Sequence, residues 1–155
     1  MKDMDLLFEA IRNKKSDELE SILKANSNLV NGKDSRGFTP LIFATYFDNE
    51  NATKILIDKN AEIDAKDGTG NTALIGVCFK GNEKLAILLL DHGAHINARN
   101  NLGTTPLIFA TMYNKVSIVK MLLERGADKS IQDNEGRTAR DHAREKEFKN
   151  LERLL

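Results

Sequence analysis

The sequence predicts an all-α fold, a right-stacked α-α solenoid of short helix pairs joined by β-hairpin-like loops. The first observation is that the heptapeptide TPLIFAT occurs twice, at 39–45 and at 105–111. The two starting positions differ by 66, and half of that difference, 33, is a period that unrelated residue types share. It places threonine at Thr39, Thr72, Thr105 and Thr138, and glycine at Gly37, Gly70, Gly103 and Gly136. Because several residue types follow one period, the period indicates a repeated structural unit.

Each unit is predicted to begin with a capped helix. Thr39 can accept a hydrogen bond from a free N–H at the helix start, and Pro40 suits the first helical position. Leu41 and Ala44 then form a short apolar stripe, a polar turn follows, and a second apolar stripe lies at 55–57. This second helix is predicted to end at a residue that tolerates a left-handed backbone, namely Asn60, Gly93 or Gly126.

A polar loop with an Asp-x-x-Gly tight turn connects one unit to the next. Since a single unit cannot bury both of its apolar stripes, the units must stack. We expect a divergent first unit at 1–33, with about one extra residue between its helices, and a C-terminal capping unit at 133–155. The units between them are predicted at 34–66, 67–99 and 100–132. Lys129 and Arg140 replace apolar residues of the earlier units, which is typical of a terminal unit that faces solvent.

The pattern D-x-x-G-x-T-P-L-x-x-A followed by L-L-x-x-G-A resembles the ankyrin repeat. The resemblance covers 34–132 as three full repeats and extends less cleanly to both ends. One departure is that Ile42, Ile75 and Ile108 stand where the family usually has histidine after T-P-L, so apolar packing must replace that histidine's hydrogen bonds. The resemblance implies a non-enzymatic protein-binding domain whose loop tips and first-helix ends line a concave groove.

Composition narrows the choice of partners and location. The 23 basic and 23 acidic residues give a formal net charge of +0, which argues against a nucleic-acid or membrane partner. The single cysteine excludes an intramolecular disulfide, and no stretch approaches the roughly 18 apolar residues of a membrane span. The N-terminal sequence has the features of neither a signal peptide nor a transit peptide. We therefore expect a cytoplasmic protein in a reducing compartment, with a monomer as its default state.

Signals for catalysis or cofactor binding are weak, so we predict no catalytic residue, no cofactor site and no metal site. His92 and His95 have a spacing that could hold a metal, but no cysteine or acidic cluster accompanies them. The G-x-G-x-x-A match at 68–73 falls in the turn of the repeat instead of after a buried strand. Cys78 lies on a first helix and is predicted to be a packed thiol.

The residues that do not follow the repeat are the candidates for binding. Aromatic residues and methionine, which are enriched at protein interfaces, concentrate at the first-helix ends. We expect Tyr46, Phe79 and Met112 to form an exposed apolar stripe, with Phe47 and Tyr113 partly buried, and the basic residues to favour an acidic partner. The candidate set is Arg36, Phe38, Tyr46, Phe47, Lys66, Thr69, Phe79, Lys80, Arg99, Leu102, Met112 and Tyr113.

Three alternatives to a protein-binding module stay open. The chain could be a scaffold or spacer fragment of a larger multidomain protein, because the repeats fill its whole length. A nucleic-acid binder that uses the basic turn tips is opposed by the zero net charge. An enzyme is the weakest alternative, because the sequence offers no set of nucleophile and base.

Overall fold

A computed structural model describes residues 2–155, with the side chains of residues 3–155. In this part of the chain, α-helices follow one another in antiparallel pairs, and a 3₁₀ turn at Ser27–Asn31 follows the first pair. The helices are α1 Lys2–Arg12, α2 Ser16–Ala25, α3 Pro40–Tyr46, α4 Glu50–Asp58, α5 Ala73–Lys80, α6 Glu83–Asp91, α7 Pro106–Met112, α8 Val116–Glu124, α9 Ala139–Glu145 and α10 Lys149–Leu154.

The first helix of four successive pairs begins at the predicted threonine cap. The Thr39 Oγ1 accepts a hydrogen bond from the Ile42 N–H at 3.2 Å, and the same bond recurs at Thr72, Thr105 and Thr138 with the same length. Each bond satisfies an N–H that has no partner within its own helix. The prediction of these helix starts is confirmed, including proline at the first position of α3 and α7.

The turn inside each pair also follows the repeat. One residue of each turn has a left-handed backbone, with φ between 54° and 80°, and these residues are Lys14, Asp48, Gly81, Asn114 and Glu147. Lys14 and Asp48 are the equivalent turn residues of the first two pairs, and their separation along the chain is one residue longer than the period. The last residues of α2 and α4, in contrast, are separated by the period itself. The predicted extra residue of the first unit therefore lies within α2, which has ten residues where α4 has nine, and the expectation of an insertion between the helices was wrong.

The helix pairs stack through their first helices. Contacts join α1 to α3, α3 to α5, α5 to α7 and α7 to α9, and each second helix lies behind its own first helix. Leu41, Leu74 and Leu107 are each about 1% exposed between neighbouring pairs. The isoleucines that replace the family's usual histidine are buried too, which confirms that apolar packing takes over at that position.

The loops between pairs form their own ladder of backbone hydrogen bonds. Gly68 N–H donates to the Arg36 carbonyl at 3.2 Å, Asn101 N–H to the Thr69 carbonyl, and Asn134 N–H to the Leu102 carbonyl. Each loop closes on itself as a tight hairpin-like turn, as the Asp34 N–H bond to the Phe38 carbonyl shows, although residues 2–155 contain no strand. The loops are thus held to one another as well as to their helices.

The C-terminal end of the stack has the expected polar character, since Lys129 in the loop before α9 and Arg140 on α9 are exposed. No helix among the described residues is long and apolar enough to cross a membrane.

Candidate protein-binding surface

The loop tips and the first-helix ends, which the sequence assigned to one surface, line a common cavity. Its volume is about 280 Å³, and it is lined by residues of α3, α5 and α7 and of the loops that precede α3 and α5. We call this cavity the Gly76 notch. The loops contribute Phe38, Asp67 and Asn71 to it, and the first helices contribute Ile42, Thr45, Tyr46, Ala73, Gly76, Phe79, Lys80 and Phe109, beside the cap Thr72.

Three aromatic side chains are exposed at successive first-helix ends. Tyr46 is 55% exposed, Phe79 is 40% exposed and Tyr113 is 46% exposed. The sequence predicts Met112 as the third exposed residue of this row and Tyr113 as partly buried, and this prediction is wrong. Met112 belongs to the last turn of α7 and packs against the core, whereas Tyr113 caps the helix outside that turn. Phe47 is half-buried, as predicted.

The aromatic residues form two clusters on either side of the notch. In the first cluster, the Phe43 ring lies 4.7 Å from the rings of both Phe8 and Phe47, and the Tyr46 ring lies 5.1 Å from Phe47. Rings at such distances and tilts attract each other beyond their apolar burial. This cluster connects the exposed Tyr46 to the core of the N-terminal pairs.

The second cluster contains a residue that the sequence analysis left out. The Phe79 ring lies 4.4 Å from Tyr113 and 5.7 Å from Phe109, and Phe109 is 5.4 Å from Tyr113. Phe109 is half-buried and lines the notch, although it belongs to the repeated TPLIFAT heptapeptide, and the sequence predicts binding residues outside the repeat. The sequence signal that could have revealed the exposure of Phe109 is Gly76, which stands at the equivalent position one unit earlier.

One row of equivalent positions explains where the notch lies. The fourth residue after each capping threonine is Phe43, Gly76, Phe109 and His142 in successive units. Only the second member of this row has no side chain. Apart from its chain neighbours and the backbone of its own helix, a Cβ placed on Gly76 would have no heavy atom within 4 Å, so the space next to it is open.

Two of the candidate cations are held at the rim by carboxylates. Arg36 pairs with Asp34 at 2.7 Å and lies over the Phe38 ring, 4.4 Å from its centroid. Lys80 Nζ lies 3.2 Å from the Asp48 carboxylate, donates to the Tyr46 carbonyl and lies 4.9 Å from the centre of the Tyr46 ring.

The pKa values of these carboxyls fit the pairing. Burial raises the pKa of Asp34, but hydrogen bonds from the Arg36 side chain and from two backbone N–H groups outweigh burial, so the net pKa is lowered. Burial likewise raises the pKa of Asp48, and hydrogen bonds from Asn82 and Lys80 outweigh it. Both groups therefore carry a negative charge at neutral pH and partly neutralise the adjacent cation.

The other two candidate cations connect successive loops. Lys66 Nζ donates to the Arg99 carbonyl at 2.9 Å, and the Arg99 guanidinium donates to the Gln132 carbonyl at the same distance. Lys33 makes the equivalent bond to the Lys66 carbonyl. Within residues 3–155, no carboxylate lies within 4.0 Å of these three cations. Each of the three cations therefore holds the next loop through a hydrogen bond to a backbone carbonyl, and its positive charge is not neutralised by a neighbouring carboxylate.

The remaining candidates lie at the loop tips. Leu102 is 71% exposed, and the exposed Thr69 donates through its Oγ1 to the Asp67 carboxylate at 2.7 Å. Neither side chain lines the notch. The structure thus brings together Phe38, Tyr46, Phe79 and Lys80, and it leaves Leu102 and Thr69 at the tips.

The groups considered for chemistry lie apart from this surface. Cys78 is fully buried, and burial raises the pKa of its thiol to about 12, so the thiolate is scarce at neutral pH. His92 and His95 are exposed, and the His92 Nδ1 lies 2.9 Å from the Leu88 carbonyl oxygen. Among the described residues, no three His, Cys, Asp or Glu side chains form a group that could hold a metal ion.

Comparison with known protein families agrees with the helix pairs and their period. The family model for ankyrin repeats in three copies matches residues 2–67, 61–133 and 96–155. No curated protein matches the chain significantly. Ankyrin repeats are in general protein–protein interaction modules and are typically non-enzymatic. With matches that together span the described residues, the chain belongs to the ankyrin-repeat family.

Proposed function

We propose that the chain is a non-enzymatic module that binds a partner protein through its loop tips and first-helix ends. The observation that carries the proposal is the row of exposed aromatic side chains at Tyr46, Phe79 and Tyr113. Large exposed aromatic groups rimmed by polar residues are typical of interaction sites, and tyrosine is enriched among the residues that dominate binding energy. The row crosses three successive units, so one extended partner segment can contact all of it.

The surroundings hold these anchors in place before a partner arrives. The Tyr113 and Phe79 rings pack on each other, and Lys80 fixes the rim beside Tyr46. The ladder of loop hydrogen bonds adds a second constraint on the loop side. A surface that is already ordered loses less conformational entropy on binding, so fewer contacts suffice for a given affinity.

Charge supports an acidic segment in the partner. The cations of Lys33, Lys66 and Arg99 recur once per unit, and no carboxylate of the described residues pairs with them. Acidic side chains of a partner would accelerate association and fix its register along the loops. A monomeric state and a cytoplasmic location stay expectations from composition.

A displayed library of random peptides, selected on the immobilised full chain, tests the proposal. Enriched peptides are then measured against a surface variant with Tyr46→Ser, Phe79→Ser and Tyr113→Ser. We expect their affinity to fall by about tenfold or more, because a few aromatic anchors supply most of the binding energy.

The matched control carries Asp58→Ser, Lys120→Ser and Glu124→Ser, which are exposed positions on second helices. It should bind the peptides as the wild-type chain does, and both variants must show a folded helical spectrum and a cooperative melt. Equal binding by the surface variant, or a library that yields no binder, would contradict the proposed function.

A further inference from the structure

Neither backbone conformation nor packing accounts for the glycine at position 76. Glycine is usually required where φ is positive or where another backbone approaches closely. Gly76 lies inside α5 and is not among the residues with positive φ, and, apart from its chain neighbours and the backbone of its own helix, no heavy atom lies within 4 Å of the place where a Cβ would be. Within a helix, glycine is also less favourable than alanine. What the glycine provides is open space.

That space has the size of one large side chain. The equivalent positions on both sides hold Phe43 and Phe109, so a ring would fit the row if position 76 carried one. At about 280 Å³, the notch is slightly smaller than the roughly 300–1,000 Å³ typical of small-molecule pockets. It suits a single inserted side chain better than a cofactor.

The rings that line the notch favour an aromatic occupant, and two of them already carry a cation of this chain. Aromatic rings commonly attract cations through their faces. Here Arg36 already lies over the Phe38 ring and Lys80 over the Tyr46 ring. The Phe79 and Phe109 rings also line the notch, and an aromatic ring from an occupant can pack against them.

The loop side of the notch is polar and offers a hydrogen-bond acceptor. The Asp67 Oδ1 accepts from the N–H groups of Thr69 and Asn71 and from the Thr69 hydroxyl. No residue in the described part of the chain donates to its Oδ2. An occupant with an O–H or N–H at the tip of its ring has an acceptor within the lining.

We propose that the Gly76 notch is the anchor pocket of the binding surface and receives one tyrosine or tryptophan side chain from the partner protein. This inference rests on the proposed function, because the anchor is taken to belong to a bound partner segment. The aromatic body would replace the missing ring of the row, and the polar tip would face Asp67.

A titration of the full chain with capped amino acids tests the pocket without a known partner. The probes are N-acetyl-L-tyrosinamide, N-acetyl-L-lysinamide and N-acetyl-L-alaninamide, followed by ¹H–¹⁵N correlation spectra. We expect weak, saturable binding of the tyrosine probe, with the largest shift changes at the amides of Asn71, Ala73 and Gly76. The lysine and alanine probes should cause no localised change.

The key variant is Gly76→Phe, which places in the notch the residue that its neighbours in the row carry. It should abolish the response to the tyrosine probe and weaken the selected peptides at least tenfold while the chain stays folded. Gly76→Leu serves the same purpose if the phenylalanine variant does not fold. If the shift changes caused by the tyrosine probe persist in these variants, or if the lysine probe causes equal shift changes, the notch is not a pocket for an aromatic side chain.

The two proposals fail in different ways. If the peptides keep their affinity for Gly76→Phe but lose it in the surface variant, the pocket is wrong and the proposed function stands. If the tyrosine probe binds in the notch and no library peptide binds the surface, the notch accepts an aromatic ring, but the proposed function is wrong and the ring does not come from a partner protein.

Discussion

The two copies of TPLIFAT have the same sequence and the same local structure but different environments. Both form a seven-residue helix capped by threonine, with the cap bond 3.2 Å long in each. Nevertheless Phe43 is 6% exposed and belongs to the core, whereas Phe109 is half-buried and lines the Gly76 notch.

The difference comes from the neighbouring units. Phe43 packs against Phe8 of α1 as well as against Phe47. On the corresponding side, Phe109 faces α5, where Gly76 offers no side chain and the half-exposed Phe79 ring lies 5.7 Å away. Local sequence therefore determines that the helix forms, and the adjacent unit determines whether its side chains become core or surface.

Truncation of the two phenylalanines should give the largest difference between the copies. We expect Phe43→Ala to lower the free energy of unfolding by about 3 kcal/mol or more, because it removes a buried ring and leaves a cavity. Phe109→Ala should cost about half as much, because part of its ring already contacts solvent. Urea unfolding of both variants measures the losses, and equal losses would contradict the contrast.

Removal of the caps should instead affect the copies alike. Thr39→Ala and Thr105→Ala, together with Thr72→Ala in the intermediate unit, should each cost about 1 kcal/mol through loss of one cap hydrogen bond. Thr69→Ala is the control, because its exposed hydroxyl caps no helix. Chemical unfolding measures these losses, and an unchanged free energy of unfolding for Thr105→Ala would argue against the shared cap.

Alanine at two glycines should change stability in opposite directions. Gly76→Ala should raise the free energy of unfolding by about 0.5–1 kcal/mol, since alanine is the better helix former and its Cβ meets no atom. Gly70→Ala should lower it, because φ is +82° there and the Cβ would come within 2.4 Å of the Asn101 side chain. Thermal melts compare the two, and a destabilising Gly76→Ala would show that the notch is not open.

Asp133, which pairs with the last member of the row, should contribute a small dependence of stability on pH. His142 is buried, and its Nε2 lies 2.8 Å from the carboxylate of Asp133, whose side chain is 10% exposed. Burial raises the pKa of Asp133, but hydrogen bonds from His142 and from the N–H groups of Arg137 and Glu135 outweigh it, so the net pKa is below the ordinary value of 3.8.

A carboxyl whose pKa is lower in the folded state than in the unfolded state adds stability above its unfolded pKa. That contribution is lost as the pH falls below about 3.8 and through the folded pKa. Asp133→Asn should therefore show a shallower loss of stability with acid than the wild-type chain. Unfolding curves at a series of acidic pH values test this, and identical slopes would rule out the contribution.

Much of the fold could be predicted because its determinants are local. The threonine caps, the prolines at the first helical position and the left-handed Asn60, Gly93 and Gly126 follow from the conformational preferences of single residues. The period then determined which positions are equivalent. The boundaries of the units at 33, 66, 99 and 132 stay a prediction.

The surface was harder to predict because it depends on contacts between units. The exposure of Tyr113 in place of Met112 follows from the end of α7, a boundary that a sequence pattern defines only to within a residue or two. The loop contacts of Lys66 and Arg99 join residues one full unit apart and leave no local signal. The notch itself requires Gly76 to be compared with its neighbours in the row.

The most direct measurement of the central claim is a crystal structure of the full chain with the tightest selected peptide. We predict a tyrosine or tryptophan side chain of the peptide in the Gly76 notch, packed against Phe79 and Phe109, with its polar tip towards Asp67. A peptide bound along the second helices, with the notch empty, would contradict the account.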